Sequence, residues 1–269
     1  MGHAGPVGIN LVDFLQTNAA PFILVFLRAS GLFFMTPVFA SPEIPFEVRG
    51  LLSAALAVIL FPFAVPYLPS SPEMGPFLLA CLDAVTIGIL LGLVVALYQS
   101  ALLMAGQFYS MQIGFGIVNV IDPLSQEQVP ILGQAKSLFG LLLFLGIGGH
   151  HLLIESLGRS FAIVPSLTLA SSGPLFHTTL RGISSIFDLG FRIAAPIVGT
   201  IFLVELILGI LSKAAPQMNV LVIGVQVKIL IGLMLLIALW PVILQMAGRL
   251  YGIAFTRLGE TLVLLGTTS

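Results

Sequence analysis

Six long apolar segments follow one another along the chain, and they restrict it to folds whose helices are covered by lipid or by other protein. One of them, residues 51–68, has no charged side chain and approaches the ~20 residues that a helix needs to cross a bilayer. Only 8% of the 269 residues are charged, whereas soluble domains have about 25%. The segments are residues 11–40, 51–68, 77–105, 131–154, 179–211 and 220–246. We predict an all-α polytopic membrane protein with about six long, partly kinked helices.

Isolated charged side chains lie inside these apolar segments, and we predict that they are paired with other groups of the protein rather than facing lipid. A charge at membrane depth is costly and normally faces a protein interior or water. For Arg28 we favour structural pairing over snorkelling or a transport role, and for Glu205 a bond to a neighbouring helix over a proton relay. Asp188 and Arg192 are spaced to neutralise each other on one helix. The predicted buried-charge or assembly residues are Arg28, Asp83, Asp188, Arg192, Glu205 and Lys228.

Small residues four apart predict close helix contacts in the third and fifth segments. Gly88 and Gly92 form one such pair, and Ala195 and Gly199 form another. Small side chains at this spacing let two helix backbones approach each other closely. We therefore expect each pair to face another helix.

The stretch QFYSMQIGFGIVNVIDP, residues 107–123, is predicted to leave the helix. Glycine in a helix interior costs about 1 kcal/mol relative to alanine, and Gly114 and Gly116 flank Phe115. An irregular backbone cannot face lipid because its unpaired polar groups would be costly, so it must be buried in protein or line a cavity. The closed part of a pore and a rigid re-entrant turn that fills space both fit this description.

The connecting segments complete the predicted architecture. Residues 155–176 are too interrupted for a spanning helix and too apolar for a free loop, so we place them against protein or the membrane interface. The short linker SKAAPQMN makes the fifth and sixth helices a tight antiparallel hairpin. The tail from residue 249 carries one apolar face and is expected to pack.

Several functional classes are disfavoured. The chain has no G-x-S-x-G, H-E-x-x-H, P-loop or C-x-x-C motif, so we predict no enzyme activity and no cofactor. His151 and Glu155 share a helical face without a third ligand, and we predict no metal. The formal charge of −1 provides no basic surface for nucleic acid.

Four motifs in order resemble one known family. They are FLRASGLFFMTPVFASPEIPFEVR, QIGFGIVNVIDP, SLGRSFAIVP and KAAPQMNVLVIGVQVKILIGL. Together they resemble the FliR family of flagellar type III export-gate proteins, from about Leu11 to Tyr251. The resemblance marks a family motif at the hairpin turn, which consists of Ala215, Pro216, Gln217, Met218 and Asn219.

The resemblance implies a specific assembly. Residues 1–178 would be a FliP-like part that includes the loop at about 107–123, and residues 179–269 a FliQ-like hairpin and tail, joined as one integrated unit. One copy would close a helical hetero-oligomer of FliP and FliQ in the bacterial inner membrane, with FlhB around the cytoplasmic entrance. Unfolded flagellar proteins would cross through its pore. The pore plug would be Ile113, Gly114, Phe115, Gly116, Ile117, Val118, Asn119 and Val120.

Three alternatives remain open from the sequence. The equivalent subunit of a virulence injectisome shares this architecture. A small-solute secondary transporter would also explain Asp83, Glu205 and a broken central segment, but it predicts two related halves with paired interrupted helices. A purely structural membrane scaffold would leave Phe115 and its flanking glycines without a purpose.

Overall fold

The chain is predominantly helical in the part that the computed structural model describes. These residues are 11–40, 44–68, 73–114, 131–165, 172–215, 217 and 220–266, and they contain no strand. The helices are α1 (Leu11–Met35), α2 (Phe46–Ala64), α3 (Met74–Ile113), α4 (Ile131–Gly146), α5 (Gly149–Ile163), α6 (Ser172–Ala214) and α7 (Val220–Gly266), with a 3-10 turn at Val65–Tyr67. The all-α prediction is confirmed.

Five helices are long and apolar enough to cross a membrane by length and composition. These candidate spans are Asn18–Met35, Phe46–Tyr67, Met74–Ile113, Ser184–Ala214 and Ile223–Gly266. The pair α4 and α5 adds a sixth if the two bent halves are taken as one span. The prediction of about six long apolar helices therefore holds within the described residues.

The first of two compact units contains α1, α2 and the first part of α3. It comprises Met1–Ala96, His151–Thr178 and Thr256–Ser269. The aromatic rings of Phe22 on α1 and Phe61 on α2 lie 5.9 Å apart, edge to face. The last turns of α7 also belong to this unit, and their Leu258 and Leu262 are buried. The apolar tail therefore packs, as its periodicity predicts.

The second unit contains the hairpin of α6 and α7 together with α4 and the second part of α3. It comprises Leu97–His150 and Thr179–Phe255. A methyl group on Gly224 would lie 3.3 Å from Leu208, and Lys228 contacts Glu205. Leu208 contacts Gly224, and the earlier Glu205 contacts the later Lys228. The two helices are therefore antiparallel. The predicted hairpin is confirmed.

The prediction that the chain leaves the helix at residue 107 is wrong. Helix α3 continues to Ile113, and the chain turns at Gly114, whose φ is 107°. Tyr109 and Ile113 are buried, and tertiary packing of this kind outweighs penalties of less than ~1 kcal/mol per residue. Residues 115–123 lie outside the described part of the chain.

The boundaries predicted around the fourth segment are also wrong. Residues 131–154 do not form one helix, because α4 and α5 meet at a 66° bend. Gly148, with a φ of 74°, supplies a left-handed conformation that other residues rarely adopt. Helix α5 continues to Ile163 through the first residues of the segment 155–176, which was predicted to be too interrupted for a spanning helix. Helix α7 runs unbroken past residue 246 to Gly266.

Candidate functional site

Arg28 lies at the centre of a buried polar cluster in the first unit. Its side chain is 1% exposed. One terminal nitrogen donates to the Ser160 carbonyl at 3.0 Å and to the Ser160 hydroxyl at 3.2 Å, and the other to the Pro165 carbonyl at 3.5 Å. The guanidinium also lies 4.4 Å from the ring centre of Phe161, within the range of a cation–π interaction. The arginine thus joins α1 to the end of α5.

Asp83 of α3 interacts electrostatically with Arg28. An unpaired charge in a protein interior costs several kcal/mol, so the oxygens, the ring and this carboxylate together make burial of the guanidinium tolerable. The sequence predicts that Arg28 is paired, and the structure supplies the partners. Ser160, Phe161 and Pro165 were not predicted as partners, although they lie within the motif SLGRSFAIVP.

Three glycines seat α1 directly against α3 beside this cluster. A methyl group on Gly31 would lie 2.6 Å from the Val85 carbonyl oxygen, and one on Gly92 would lie 2.8 Å from the Met35 side chain. A methyl group on Gly88 would collide with the carbonyl oxygen of Arg28 itself. The predicted contact of Gly88 and Gly92 with another helix is therefore confirmed.

A second polar cluster joins three helices in the second unit. The Glu205 carboxylate of α6 accepts from the Lys228 ammonium of α7 at 2.6 Å and from the Gln112 amide of α3 at 3.2 Å. The Lys228 side chain is 18% exposed and that of Glu205 38%. Glu205 is thus bonded to a neighbouring helix, as predicted, while Gln112 was not predicted. A glutamine beside an apolar, glycine-rich stretch was the available signal.

The end of α3 is also held by an apolar contact. Ile113 is fully buried, and a methyl group on Gly232 of α7 would lie 2.5 Å from its side chain. Gly114, also buried, donates its N–H to the Met111 carbonyl at 3.2 Å. Of the predicted plug, only these two residues fall within the described part of the chain. The others are Phe115, Gly116, Ile117, Val118, Asn119 and Val120.

Asp188 and Arg192 pair as predicted, but they are exposed rather than buried. Their side chains are 58% and 69% exposed, and the closest N–O distance is 2.8 Å. Exposed pairs of this kind contribute about 0–1 kcal/mol. Among the described residues, nothing lies within 4 Å of a methyl group placed on Gly199, so its predicted contact with another helix is not made there.

Two residues of the hairpin-turn motif are described. Ala215 donates its N–H to the Leu211 carbonyl at 2.9 Å and so continues the hydrogen bonding of α6, and Gln217 is exposed in a turn. Pro216, Met218 and Asn219 lie outside the described residues. Ala215 therefore extends the backbone hydrogen bonding at the end of α6 by one residue.

A buried polar contact in the second unit was not predicted at all. The Tyr251 hydroxyl donates to the Gln99 side-chain oxygen and lies 3.3 Å from the Gly140 carbonyl. The Tyr251 ring also packs 5.5 Å from that of Phe144. Both polar side chains are buried, so the contact satisfies groups that would otherwise be costly inside the helices.

Comparison with known proteins assigns the chain to a family. The sequence matches the family described as bacterial export proteins, family 1, over residues 19–253. It is 31% identical to the flagellar biosynthetic protein FliR of Bacillus subtilis, covering 92% of this chain and 96% of that protein. The chain belongs to the FliR family. FliR of Escherichia coli is 28% identical, covering 87% of this chain and 89% of that protein.

Membership in the FliR family fixes the broad function. These relatives are named as flagellar biosynthetic proteins, and the family is one of bacterial export proteins. The chain is thus a flagellar protein-export component with membrane helices. The flagellar names favour the flagellar interpretation over the injectisome and solute-transporter alternatives.

Proposed function

We propose that this chain is a subunit of the flagellar type III export gate and forms, with FliP and FliQ, the pore that carries unfolded flagellar proteins across the bacterial inner membrane. One copy completes the helical hetero-oligomer, and FlhB surrounds the cytoplasmic entrance. Residues 1–178 serve as the FliP-like part and residues 179–269 as the FliQ-like part. Family membership and the antiparallel α6–α7 hairpin support this proposal.

The pore plug is the segment from Ile113 to Val120. The observation that carries this assignment is the end of α3, where the chain turns at a buried glycine directly after a fully buried isoleucine. The chain thus enters the apolar segment from inside the protein, where an irregular backbone is tolerated. An apolar constriction blocks ions by dewetting and needs no charged filter. Glycines on both sides of Phe115 give the backbone freedom to move aside for a substrate.

Deleting residues 114–118 tests the plug. We expect the complex with FliP and FliQ to assemble, because the deletion leaves every described helix intact, and the membrane to leak small ions, because the apolar block is gone. Assembly is measured by co-purification of the subunits, and leak by dye and ion flux in proteoliposomes. Met111→Ala truncates an exposed apolar side chain one turn earlier and is the control that should stay tight.

Either of two results would contradict the plug. If the deletion complex assembles normally and is as tight as wild type, residues 114–118 do not plug the pore. Loss of assembly in the deletion, with normal assembly of Met111→Ala, indicates that the segment is instead a rigid turn that fills space between helices.

The chain is expected to require its partners for stability. Large apolar side chains are exposed along α2, α6 and α7, among them Leu51, Ile207 and Ile237, and Gly199 is open to another helix. These apolar and small-residue surfaces fit contacts with FliP and FliQ. Purified alone in detergent, the chain should aggregate or unfold at a lower temperature than the complex. A monodisperse monomer as thermally stable as the complex would argue against this dependence.

A further inference from the structure

We propose that Gln112, Glu205 and Lys228 form an anchor that fixes the end of α3 and thereby holds the gate closed. This inference rests on the plug proposed above, and it adds residues outside the plug that determine where the plug begins. Gln112 and the two charged residues act by positioning the segment after Gly114. None of the three needs to contact the exported substrate.

The geometry of the Glu205 carboxylate makes it the centre of the anchor. One of its oxygens accepts from Lys228 at 2.6 Å and the other from Gln112 at 3.2 Å. Each oxygen therefore bonds a different helix, and a single side chain on α6 ties α7 to the last turn of α3. Bonds to an ionised group are about twice as strong as bonds between neutral groups.

An apolar contact one turn along α7 reinforces the polar one. Lys228 and Gly232 are four residues apart and so lie on one face of α7. Lys228 is linked to Gln112 through the Glu205 carboxylate. Gly232 contacts the next residue of α3, Ile113, directly. Shifting the end of α3 along or away from α7 would break both contacts together. The chain position at Gly114 is thereby fixed.

The placement of these charges argues for a role beyond general stability. Glu205 and Lys228 lie inside candidate membrane spans, where ionisable residues are rare and commonly functional. Asp188 and Arg192 on the same helix α6 form an exposed pair within four residues of one another. Only the Glu205 pair, of these two, reaches the residue adjoining the plug, so α6 itself provides a matched control.

Neutralising the anchor should raise ion leak through the assembled complex. We expect Glu205→Gln to increase leak about tenfold, which corresponds to ~1.4 kcal/mol in the closed-to-open equilibrium when the open state is rare. Gln112→Met removes no charge and leaves the ion pair intact, and we expect about a fivefold increase from the lost hydrogen bond. Asp188→Asn should remain as tight as wild type.

A charge exchange separates positioning from simple loss of structure. The double variant Glu205→Lys with Lys228→Glu restores an ion pair of opposite polarity. The Gln112 amide can still bond to it, because the amide carries both a donor and an acceptor and can rotate. We expect the complex with the double variant to leak less than the complex with Glu205→Lys alone or with Lys228→Glu alone. Leak and subunit co-purification are measured for the whole complex in proteoliposomes, beside the deletion of residues 114–118.

Each outcome bears on the anchor. Leaky single variants with a tighter double variant support it. Tight Glu205→Gln and Gln112→Met complexes, beside a leaky plug deletion, would overturn the anchor and leave the gate standing. A tight plug deletion would overturn both. If Glu205→Gln fails to assemble, Gln112→Met decides, since it keeps both charges: increased leak supports the anchor and a wild-type leak refutes it.

Discussion

Replacing Arg28 with alanine should destabilise the protein by about 3–5 kcal/mol, the usual cost of removing one partner of a buried charged pair. The substitution removes the bonds to Ser160 and Pro165 and the contact with Phe161. It also leaves Asp83 without its nearby positive charge and opens a cavity, because Arg28 is among the largest fully buried side chains. Denaturant unfolding of the complex in detergent measures the loss, and reduced assembly and motility should accompany it.

Arg159→Ala is the matched control for this experiment. Arg159 lies next to Ser160 but is 69% exposed in a pair with Glu155, so its removal should cost less than ~1 kcal/mol. Arg28→Lys should fall between the two, because lysine keeps the charge but lacks the planar fork that reaches both carbonyls and stacks on the ring. Equal stability of Arg28→Ala and Arg159→Ala would mean that Arg28 faces lipid or water.

Gly88→Ala is expected to separate α1 from α3 and to destabilise the protein by about 1–3 kcal/mol, the range typical of overpacking. The added methyl group would collide with the Arg28 carbonyl oxygen and lie 3.0 Å from the Leu32 nitrogen. Both obstacles are backbone atoms of α1, so no side chain can rotate to make room. In an exposed helix the same substitution stabilises the helix by about 1 kcal/mol. The expected change in stability for Gly88→Ala is therefore opposite in sign to the change that helix propensity alone predicts.

Gly75→Ala in the same helix is the control for Gly88. No described residue outside its own helical turn lies within 4 Å of a methyl group at that position, so the variant should be as stable as wild type or slightly more stable. Thermal unfolding of the two variants side by side gives the comparison. A Gly88→Ala protein as stable as Gly75→Ala would show that α1 and α3 do not approach as closely as the structure places them.

The sequence alone determined the fold class and the approximate course of the helices. Long apolar segments with few charges allow little except helices, because each helix satisfies its own backbone hydrogen bonds. The hairpin of α6 and α7 followed from the short linker. The pairing of Asp188 with Arg192 followed from spacing, since both residues are local to one helix. The FliR resemblance also came from sequence motifs and was confirmed by the family match.

Only the tertiary structure decided where helices end and what their polar residues contact. Helix α3 persists to Ile113 because Gly232 of α7 accommodates that side chain, a contact between residues far apart in sequence. The hydrogen-bond acceptors of Arg28 are oxygens 132 and 137 residues away. Every residue has a backbone carbonyl, so the sequence does not reveal which carbonyls accept a hydrogen bond from Arg28. The sequence predicted that Glu205 bonds to a neighbouring helix, but it did not identify Gln112 as one of its partners. Helical periodicity and charge can be identified from residues close together in the sequence, whereas these contacts depend on which distant segments the fold brings together.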